Sequence, residues 1–283
     1  MTAISIIVPV YESRQYLSSC IESLLDQDFV LPYQIILVET ASPDGSFEIC
    51  EKYQKEYPEK IYHFHYNKPY TISMARNLGI LHASGEYVLF VDGDDLLRKD
   101  ALTKLYSYTN QDVEAIQGAH SLYYGDKEKR VAPIGKGKLT SREAVQALVV
   151  NRTFCGYCWN TLIKRSFLLK YHIYFEYKIT VFEDLMFIME VFYRSNSVYF
   201  ASDDTYLYRQ REGSTLSSCP DLVRHHIYVL QKLYDKLEND PYTRSVLRHN
   251  RTHIKRQFKQ EQKRCKCKDN HAKEIKALFS EEK

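Results

Sequence analysis

The first 91 residues alternate between two kinds of apolar pattern. Uninterrupted runs of β-branched and aromatic residues predict buried strands, whereas apolar residues that recur every three or four positions predict amphipathic helices. Strands are predicted at residues 4–10, 34–38, 61–66 and 87–91, and helices at residues 15–27, 46–57 and 73–83. A regular alternation of strands and helices is typical of a parallel sheet with helices on both faces. The sequence therefore predicts an α/β fold, a Rossmann-like and mostly parallel sheet flanked by helices.

The rest of the chain follows a less regular pattern. Helices are predicted at residues 100–109, from residue 141, from residue 183 within the stretch 180–193, and at 222–237, and strands at 114–117, 158–163 and 198–200. The polar stretch 123–138 predicts a flexible loop over the site, and residues 206–217 predict another loop. Residues 244–276 are rich in Lys, Arg, Gln and His. We therefore divide the chain into a domain at residues 1–218 and a helical, basic C-terminal extension at residues 219–283.

Composition narrows the class of protein. With 283 residues, 44% of them hydrophobic, the chain can bury a sizeable core, and its net charge of only +3 argues against a nucleic-acid binder. No apolar run approaches the roughly 20 residues of a membrane-spanning helix. The chain opens directly on a strand-like run, so no signal peptide is predicted. Seven cysteines, an odd number, are typical of a reducing compartment, and we expect a cytoplasmic protein.

The basic C-terminal extension has two interpretations. It is either a solvated helix or a peripheral contact with the anionic inner face of a membrane, where each well-placed basic residue contributes about 1 kcal/mol. Self-association into a homo-oligomer is left open by the sequence.

Three carboxylates follow the strand predicted at residues 87–91. Asp92, Asp94 and Asp95 stand at its carboxyl end, and Gly93 between the first two leaves room for a ligand. Ligands of open α/β sheets bind outside the carboxyl ends of the strands. Carboxylates this close repel one another, and oxygen ligands suit Mg²⁺ or Mn²⁺ held together with substrate phosphates. The cluster therefore predicts a metal–diphosphate site, and the alternative is a solvated turn that closes the strand.

A second pair of carboxylates, Glu183 and Asp184, begins the helix predicted within residues 180–193. A carboxylate that is ionised and partly desolvated can serve as a general base. The alternative is plain helix capping, because the helix dipole stabilises an anion at the N-terminus by about 0.3–1 kcal/mol. No G-x-G-x-x-G motif and no Walker lysine loop follows the first strand. A nucleotide would then be held by loops at the strand ends.

Several short motifs stand in the order in which they occur in one known family. They are Ser-Ile-Ile-Val-Pro-Val-Tyr at residues 5–11, Cys-Ile-Glu-Ser-Leu-Leu-Asp-Gln at 20–27, Ala-Arg-Asn-Leu-Gly-Ile at 75–80, Ser-Gly-Glu-Tyr at 84–87, Asp-Gly-Asp-Asp at 92–95, Glu-Asp at 183–184 and Arg-Glu-Gly-Ser at 211–214. The ordered set resembles family 2 glycosyltransferases with the GT-A fold, of the bacterial surface-glycan or wall-polymer type. The resemblance covers about residues 3–218.

The resemblance implies donor-binding roles for four residues. Pro9 and Tyr11 match positions that contact the nucleotide base and ribose. Arg76 matches an arginine near the base and the diphosphate, and Arg211 matches a residue that covers the diphosphate.

The resemblance also implies where the metal and the general base lie. Asp92 and Asp94, on either side of Gly93, match the metal-binding Asp-x-Asp pair, with Asp94 the direct ligand and Asp92 nearer the ribose or sugar. Asp184, in the Glu183-Asp184 pair, matches the residue that deprotonates the acceptor hydroxyl. The implied cofactor is Mn²⁺ or Mg²⁺.

Some positions depart from the family pattern. Where relatives usually carry an aspartate that contacts the uracil ring, this chain has Glu39 and Thr40, so the uridine preference is in question. Glu12 replaces the usual asparagine after Tyr11. Some relatives have a metal-binding histidine after Arg-Glu-Gly, where this chain has Ser214 and Thr215.

Together these features predict an inverting, metal-dependent glycosyltransferase. It would move a sugar from a nucleotide-diphosphate donor, by expectation a UDP-sugar, to a hydroxyl of a growing surface glycan. The acceptor could be a lipid-linked oligosaccharide, a polysaccharide, a wall polymer or a glycoprotein, and Trp159 with the 123–138 loop is assigned to the acceptor side.

Two other classes of function stay open. One is a catalytically degenerate GT-A protein that acts as a binding or partner subunit of a glycosyltransferase complex. The other is a nucleotidyltransferase, which would normally need a glycine-rich and basic first loop that residues 10–13 do not supply.

Overall fold

The computed structural model describes residues 1–150, 156–179 and 181–211, together with 227–229, 231, 232 and 256. The strands are β1 (Ile4–Val10), β2 (Tyr33–Thr40), β3 (Ile61–Tyr66), β4 (Tyr87–Phe90), β5 (Leu96–Leu97), β6 (Ala115–Tyr123), β7 (Glu128–Val131), β8 (Gly137–Thr140), β9 (Thr161–Lys164) and β10 (Ser197–Arg209). The helices are α1 (Arg14–Leu25), α2 (Ser46–Glu56), α3 (Ile72–His82), α4 (Ala101–Ser107), α5 (Ser141–Val150), α6 (Arg165–Lys170) and α7 (Glu183–Arg194), and a 3₁₀ turn at Tyr108–Gln111 follows α4.

All the described strands belong to one sheet. Its order is β3-β2-β1-β4-β9-β6-β10-β5, with β7 beside β6 and β8 beside β10. The first four strands in this order are mutually parallel. β9 is antiparallel to both of its neighbours, and β10 is parallel to β6. Six of the ten strands therefore point the same way, and the mostly parallel sheet that the sequence predicts is confirmed.

Helices cover both faces of this sheet, as predicted. Alternate residues of β1 point to opposite sides, so that Ile6 and Ile7 belong to separate hydrophobic clusters. The buried side chains of α1 pack on the face of Ile6, and those of α5 and α7 pack on the face of Ile7. Because both faces are covered, the central strands read as continuous apolar runs.

The strand and helix predictions for the first 90 residues agree closely with the structure. β1 and β3 have the predicted bounds, and α2 begins at Ser46 as predicted. β2 extends two residues further than predicted and takes Glu39 and Thr40 into the strand. Polar residues at a strand end carry little hydrophobic signal, although both of these side chains are buried here.

The predictions for two loops were wrong. The stretch 123–138 contains β7 and the first half of β8, and both strands extend the sheet by antiparallel pairing. β7 is largely exposed, so its residues are polar and carry no apolar alternation. β10 runs on to Arg209, beyond the predicted strand at 198–200, because its pairing with β6 shifts register between Phe200 and Tyr206 and then resumes.

The predicted boundary at residues 218/219 and the basic C-terminal extension lie almost wholly outside the described residues, as do Glu212, Ser214 and Thr215. Within the described part of the chain, Ile227 and Val229 are helical and buried. Among the helices in the described ranges, none is long and apolar enough to cross a bilayer.

The packing of α3 on β1 leaves no space at Gly79. A Cβ built there would lie 2.2 Å from Cγ2 of Ile7. We expect Gly79→Ala to lower the free energy of unfolding by about 1–3 kcal/mol, because overpacking a filled interface forces side chains or backbone to shift. Urea denaturation measures the change.

The matched control is Leu81→Ala on the same helix. Leu81 is 61% exposed, and we expect a change within about 0.5 kcal/mol. Unchanged stability in Gly79→Ala would contradict the close approach of α3 to β1.

Candidate active site

A cleft of about 320 Å³ opens at the carboxyl ends of β1, β2 and β4. Seven residues that the sequence singled out line it: Pro9, Tyr11, Thr40, Asp92, Gly93, Asp94 and Arg211. Lining residues without a predicted role include Ser13, Tyr70, Ile72, Tyr208 and Arg209. The position agrees with the general rule for ligand sites in open α/β sheets.

Two arginines lie against Asp94 in this cleft. Nε of Arg211 is 2.6 Å from Oδ2 of Asp94, and Nε of Arg209 donates to the Asp94 carbonyl oxygen at 2.6 Å. Burial, with the nearby charge of Asp92, raises the pKa of Asp94, and Arg211 works against this rise. The guanidinium of Arg209 lies 4.8 Å from the ring centroid of Tyr16, which fixes its direction. The cleft therefore has a cationic wall beside the Asp-x-Asp pair.

Asp95 fastens the acidic loop to β10. Its carboxylate is fully buried and accepts from the Tyr206 hydroxyl at 2.6 Å and from the backbone N–H of Arg209 at 2.8 Å. The Tyr206 oxygen in turn accepts from the backbone N–H of Asp92 at 3.2 Å. Burial raises the pKa of Asp95, and the charges of Asp94 and Asp92 add to the rise. This third carboxylate is therefore structural, and it sets the spacing of the two that line the cleft.

Arg76 gathers three carboxylates behind the cleft. The side chain is 1% exposed, and its Nη2 lies 2.8 Å from Oδ1 of Asp92. Its Nη1 lies 3.0 Å from Oε1 of Glu183 and 2.5 Å from Oδ1 of Asp184. The family resemblance implied a position near the base and diphosphate for Arg76. The structure instead surrounds the guanidinium with acidic side chains, where its charge compensates theirs.

Glu183 and Asp184 form the first turn of α7, as predicted. Phe182 precedes them with a φ of 65°, a left-handed conformation that turns the chain into the helix. The Cys158 thiol lies 3.3 Å from Oδ1 of Asp184 as a hydrogen-bond donor. Burial raises the pKa of Asp184 and of Glu183, and Arg76 opposes both rises. Asp184 is thus a partly desolvated carboxylate joined through Arg76 to Asp92.

Glu39 and Glu12 differ in their surroundings. Glu39 is completely buried and contacts His65, whereas Glu12 is exposed with a φ of 49°. The backbone N–H of Glu12 donates to Oγ of Ser42 at 2.7 Å. Neither carboxylate lines the cleft, although their neighbours Tyr11 and Thr40 do.

Trp159 is not an acceptor platform, and its assignment to the acceptor side was wrong. The residue is 3% exposed, and its ring stacks with the rings of Tyr157 and Tyr206 at centroid distances of 4.3 and 4.5 Å. A buried and stacked indole has no face for a sugar, and Trp159 belongs to the core.

The donor atoms fit a metal that arrives with its substrate. In the described ranges, no group of three or more His, Cys, Asp or Glu side chains could hold a metal ion. The cleft offers Asp94, 21% exposed, and Asp92, one of whose oxygens contacts Arg76. Mg²⁺ is usually bound by one or two carboxylates together with substrate phosphates. Asp94 would then be the principal protein ligand.

Comparison with known proteins assigns the family. A model of glycosyl transferase family 2 matches residues 5–171, more than half of the chain. The chain belongs to glycosyl transferase family 2. The matched region runs from β1 through α6 and includes the cleft loops, Arg76 and the Asp-x-Asp pair. The family predicted from the ordered motifs is confirmed.

Two similar proteins are named as glycosyltransferases, one for cholesterol and one for poly(ribitol-phosphate). The chain is 33% identical over 228 residues to a cholesterol galactosyltransferase of Borreliella burgdorferi, covering 76% of this chain and 62% of that protein. It is 31% identical over 227 residues to the poly(ribitol-phosphate) β-N-acetylglucosaminyltransferase TarS of Staphylococcus aureus, covering 77% of this chain and 37% of TarS. The chain thus spans about three-fifths of one relative and little more than a third of the other.

Solved structures confirm the GT-A fold. Residues 1–349 of S. aureus TarS in complex with UDP-GlcNAc superpose with a TM-score of 0.72 and 21% identity, covering 89% of this chain and 73% of that one. The mannosyltransferase PcManGT of Pyrobaculum calidifontis, in complex with GDP-Man and Mn²⁺, gives a TM-score of 0.59 at 14% identity, covering 98% of this chain and 78% of that one.

Sequence reasoning missed Arg209, and one signal could have found it. Arg209 and Arg211 alternate along the chain, so they project to the same side if the strand is extended that far. Because residues 206–217 were predicted as a loop, the alternation of a strand was not applied to them. In the structure β10 extends to Arg209 and brings this side chain to Asp94.

The cluster on Arg76 yields a stability prediction. We expect Arg76→Met to lower the free energy of unfolding by about 3–5 kcal/mol at pH 8, because it leaves buried carboxylates without their cation. The loss should shrink at pH 5, where those carboxylates protonate and the uncompensated charge disappears. Guanidinium denaturation of wild type and Arg76→Met at pH 8 and pH 5 measures this difference in the free energy of unfolding.

Arg194→Met is the control on an exposed pair. Arg194, 42% exposed, contacts Glu190 one turn away on α7, and such pairs contribute about 0.3–0.5 kcal/mol. If Arg76→Met and Arg194→Met lowered the free energy of unfolding equally, and by the same amount at both pH values, the compensating role of Arg76 would be contradicted.

Proposed function

We propose that this chain is an inverting, metal-dependent glycosyltransferase that moves a sugar from a nucleotide-diphosphate donor to a hydroxyl of a surface glycan. One observation carries the proposal. Arg76 joins Asp92, which lines the cleft, to Asp184 at the start of α7. The carboxylate pair that we propose to hold the metal and a candidate base are thereby held at a fixed separation by one buried cation.

The donor would lie along the cleft with its nucleoside between Tyr11 and Thr40. Tyr11 is 46% exposed and offers an aromatic surface to the base or ribose. The diphosphate would then lie beside Asp94, within reach of Arg209 and Arg211. An arginine pair suits diphosphate oxygens because the guanidinium group binds two of them at once.

A single displacement accounts for inversion. Asp184 accepts the proton of the acceptor hydroxyl, and that oxygen forms a bond to the anomeric carbon as the bond to the diphosphate oxygen breaks. The raised pKa of Asp184 makes its carboxylate a stronger base than an ordinary aspartate. Arg209 and Arg211 offset the charge of the departing nucleoside diphosphate. A divalent metal on Asp94, when bound, supplies further positive charge to the same oxygens.

The donor and acceptor classes are proposed from the relatives. UDP is the expected nucleotide, because TarS was crystallised with UDP-GlcNAc. The expected acceptor is a hydroxyl of a polymer such as poly(ribitol-phosphate) or of a lipid, given the names of the two relatives. A cytoplasmic location, with the basic C-terminal extension against the inner membrane face, and self-association are parts of the same proposal.

Nucleotide binding provides the first test. We expect UDP with Mn²⁺ to raise the melting temperature of the full chain, and EDTA to abolish the rise, because Asp94 would hold the metal and the metal would offset the charge of the diphosphate. A ligand at 100 times its Kd stabilises by about 2.7 kcal/mol, which differential scanning fluorimetry detects. Asp94→Asn should lose most of the metal-dependent rise.

Asp26→Asn is the matched control for this test. Asp26 is 70% exposed on the far end of α1, where it pairs with Lys99. Asp26→Asn should show the same rise in melting temperature with UDP and Mn²⁺ as the wild type. If UDP, GDP, CDP and dTDP all fail to stabilise the wild-type chain with either metal, the donor site is refuted and the partner-subunit interpretation is favoured.

Turnover provides the second test. We expect Asp184→Asn to lower kcat for transfer, or for donor hydrolysis by water, by about 10²–10⁴-fold, because the amide cannot accept the proton. Nucleotide affinity should stay within threefold of wild type. In the wild type, kcat/KM should fall as the pH drops through the raised pKa of Asp184.

Glu190→Gln, two turns along α7, is the control for Asp184→Asn. It should leave kcat unchanged. Full activity in Asp184→Asn would assign the base to another group.

A further inference from the structure

A buried carboxylate and a histidine form a pair beside the nucleoside end of the cleft. Glu39 is 0% exposed, and both of its oxygens have partners. Oε2 lies 2.5 Å from Nδ1 of His65, and Oε1 accepts the backbone N–H of Ser42 at 2.5 Å. An ionised carboxylate in such a place requires a nearby cation or several donors.

The geometry around His65 fits the charged imidazolium. Its second ring nitrogen, Nε2, lies 2.6 Å from Oδ1 of Asn67. Both ring nitrogens therefore face oxygen acceptors, and only the doubly protonated ring donates to both. Phe47 packs edge-on at a centroid distance of 4.8 Å and holds the ring in place. The side chain of His65 is 35% exposed, so it exchanges protons with solvent.

The pair fixes the turn that carries one wall of the cleft. Thr40 lines the cleft, and Ala41 follows it with a φ of 52°, a left-handed conformation that costs energy for a residue with a Cβ. The bond from the Ser42 N–H to Glu39 closes this turn. The position of Thr40 therefore depends on Glu39 keeping its ionised carboxylate in place.

The same turn also holds the opposite wall. Oγ of Ser42 accepts the backbone N–H of Glu12 at 2.7 Å, and Glu12 follows Tyr11 in the first loop. Oγ of Ser46 accepts the backbone N–H of Ser13 at 3.1 Å. A chain of bonds thus runs from the imidazole to the two loops that carry Thr40 and Tyr11, between which the nucleoside would lie.

We propose that His65 is a positioning residue for the donor. Its protonated ring compensates the buried charge of Glu39 and so holds the loops that carry Thr40 and Tyr11 in the nucleotide-binding arrangement. Donor affinity is then coupled to the protonation of His65. This inference rests on the proposed function, because it takes the cleft as the nucleotide site.

Other titratable groups around the pair do not change charge in the same pH range. On β3, burial lowers the pKa of His63, which stays neutral. On α2, burial raises the pKa of Cys50 beyond the neutral range, and Glu51 acts on His63 from the same helix. In the intervening loop, hydrogen bonds from Ser46, Arg14 and Ser42 outweigh burial and lower the pKa of Asp44 to about 2.

The sign of the effect follows from the direction of the shift. The bond to Glu39 raises the pKa of His65, and burial opposes this only in part. The pair is therefore complete below the ordinary histidine pKa and is lost as the pH rises through the higher folded-state value. Nucleotide affinity should fall over that interval, by at most tenfold per pH unit for a single proton.

Isothermal titration of the full chain with UDP and Mg²⁺ between pH 6.5 and 8.5 tests the coupling. We expect the wild-type Kd to rise with pH. His65→Gln should bind at least fivefold more weakly at pH 6.5 and show a flatter pH dependence, with KM for the donor raised and kcat within twofold. His65→Lys keeps a cation at this position, so it should restore tight binding and hold it to higher pH.

The control is His82→Gln on α3. His82 contacts Tyr66 and Phe64 and takes no part in the loop network. It should reproduce the wild-type Kd at each pH. If His65→Gln also follows the wild-type curve, or if His65→Lys binds as weakly as His65→Gln, the positioning role is overturned.

A second measurement separates this inference from the proposed function. The melting temperature of wild type relative to His65→Gln, without nucleotide, should be higher at pH 6 and converge by pH 9. If the two melting temperatures converge but wild type and His65→Gln bind nucleotide with the same Kd at every pH, the inference alone is overturned. A stabilising pair in a chain that binds no nucleotide overturns both the donor site and the role of His65 in it.

Discussion

One buried guanidinium determines how the parts of this site are arranged. Arg76 comes from α3, and its carboxylate partners come from the loop after β4 and from the start of α7. Burying one cation and three acidic groups is unfavourable unless each finds a partner at close range. The three segments are therefore held in one mutual position. The separation between Asp92 in the cleft and Asp184 follows from that position.

The loops of the cleft are held by side-chain bonds to backbone groups, because regular structure ends where the site begins. Asp95 holds the acidic loop through Tyr206 and Arg209, and Ser42 links the loops that follow β1 and β2. Left-handed residues occur in both of these linked loops, at Glu12 and Ala41, and before α7 at Phe182. Such conformations persist where surrounding bonds over-determine them, and they are common at functional sites.

Much of the fold could be predicted because its signals are local. β1, β2 and β4 are buried on both faces and read as apolar runs, and Asp92 and Asp94 stand directly after one of these strands. β7 and the far end of β10 escaped prediction because an exposed edge and a shift in register erase the apolar pattern. Trp159 was misjudged because composition says nothing about whether an aromatic ring is already stacked in the core.

The sequence by itself determined the alternation of strands and helices in the first 90 residues, the carboxylates at the end of β4 and the family. These depend on neighbours along the chain, which periodicity and short motifs record. Only the tertiary structure decided which groups pair. Arg76 meets Glu183 and Asp184 across 107 and 108 residues, and Glu39 meets His65 across 26. Charges and hydrogen bonds act over a few ångströms, so their partners are set by the packing that brings distant segments together.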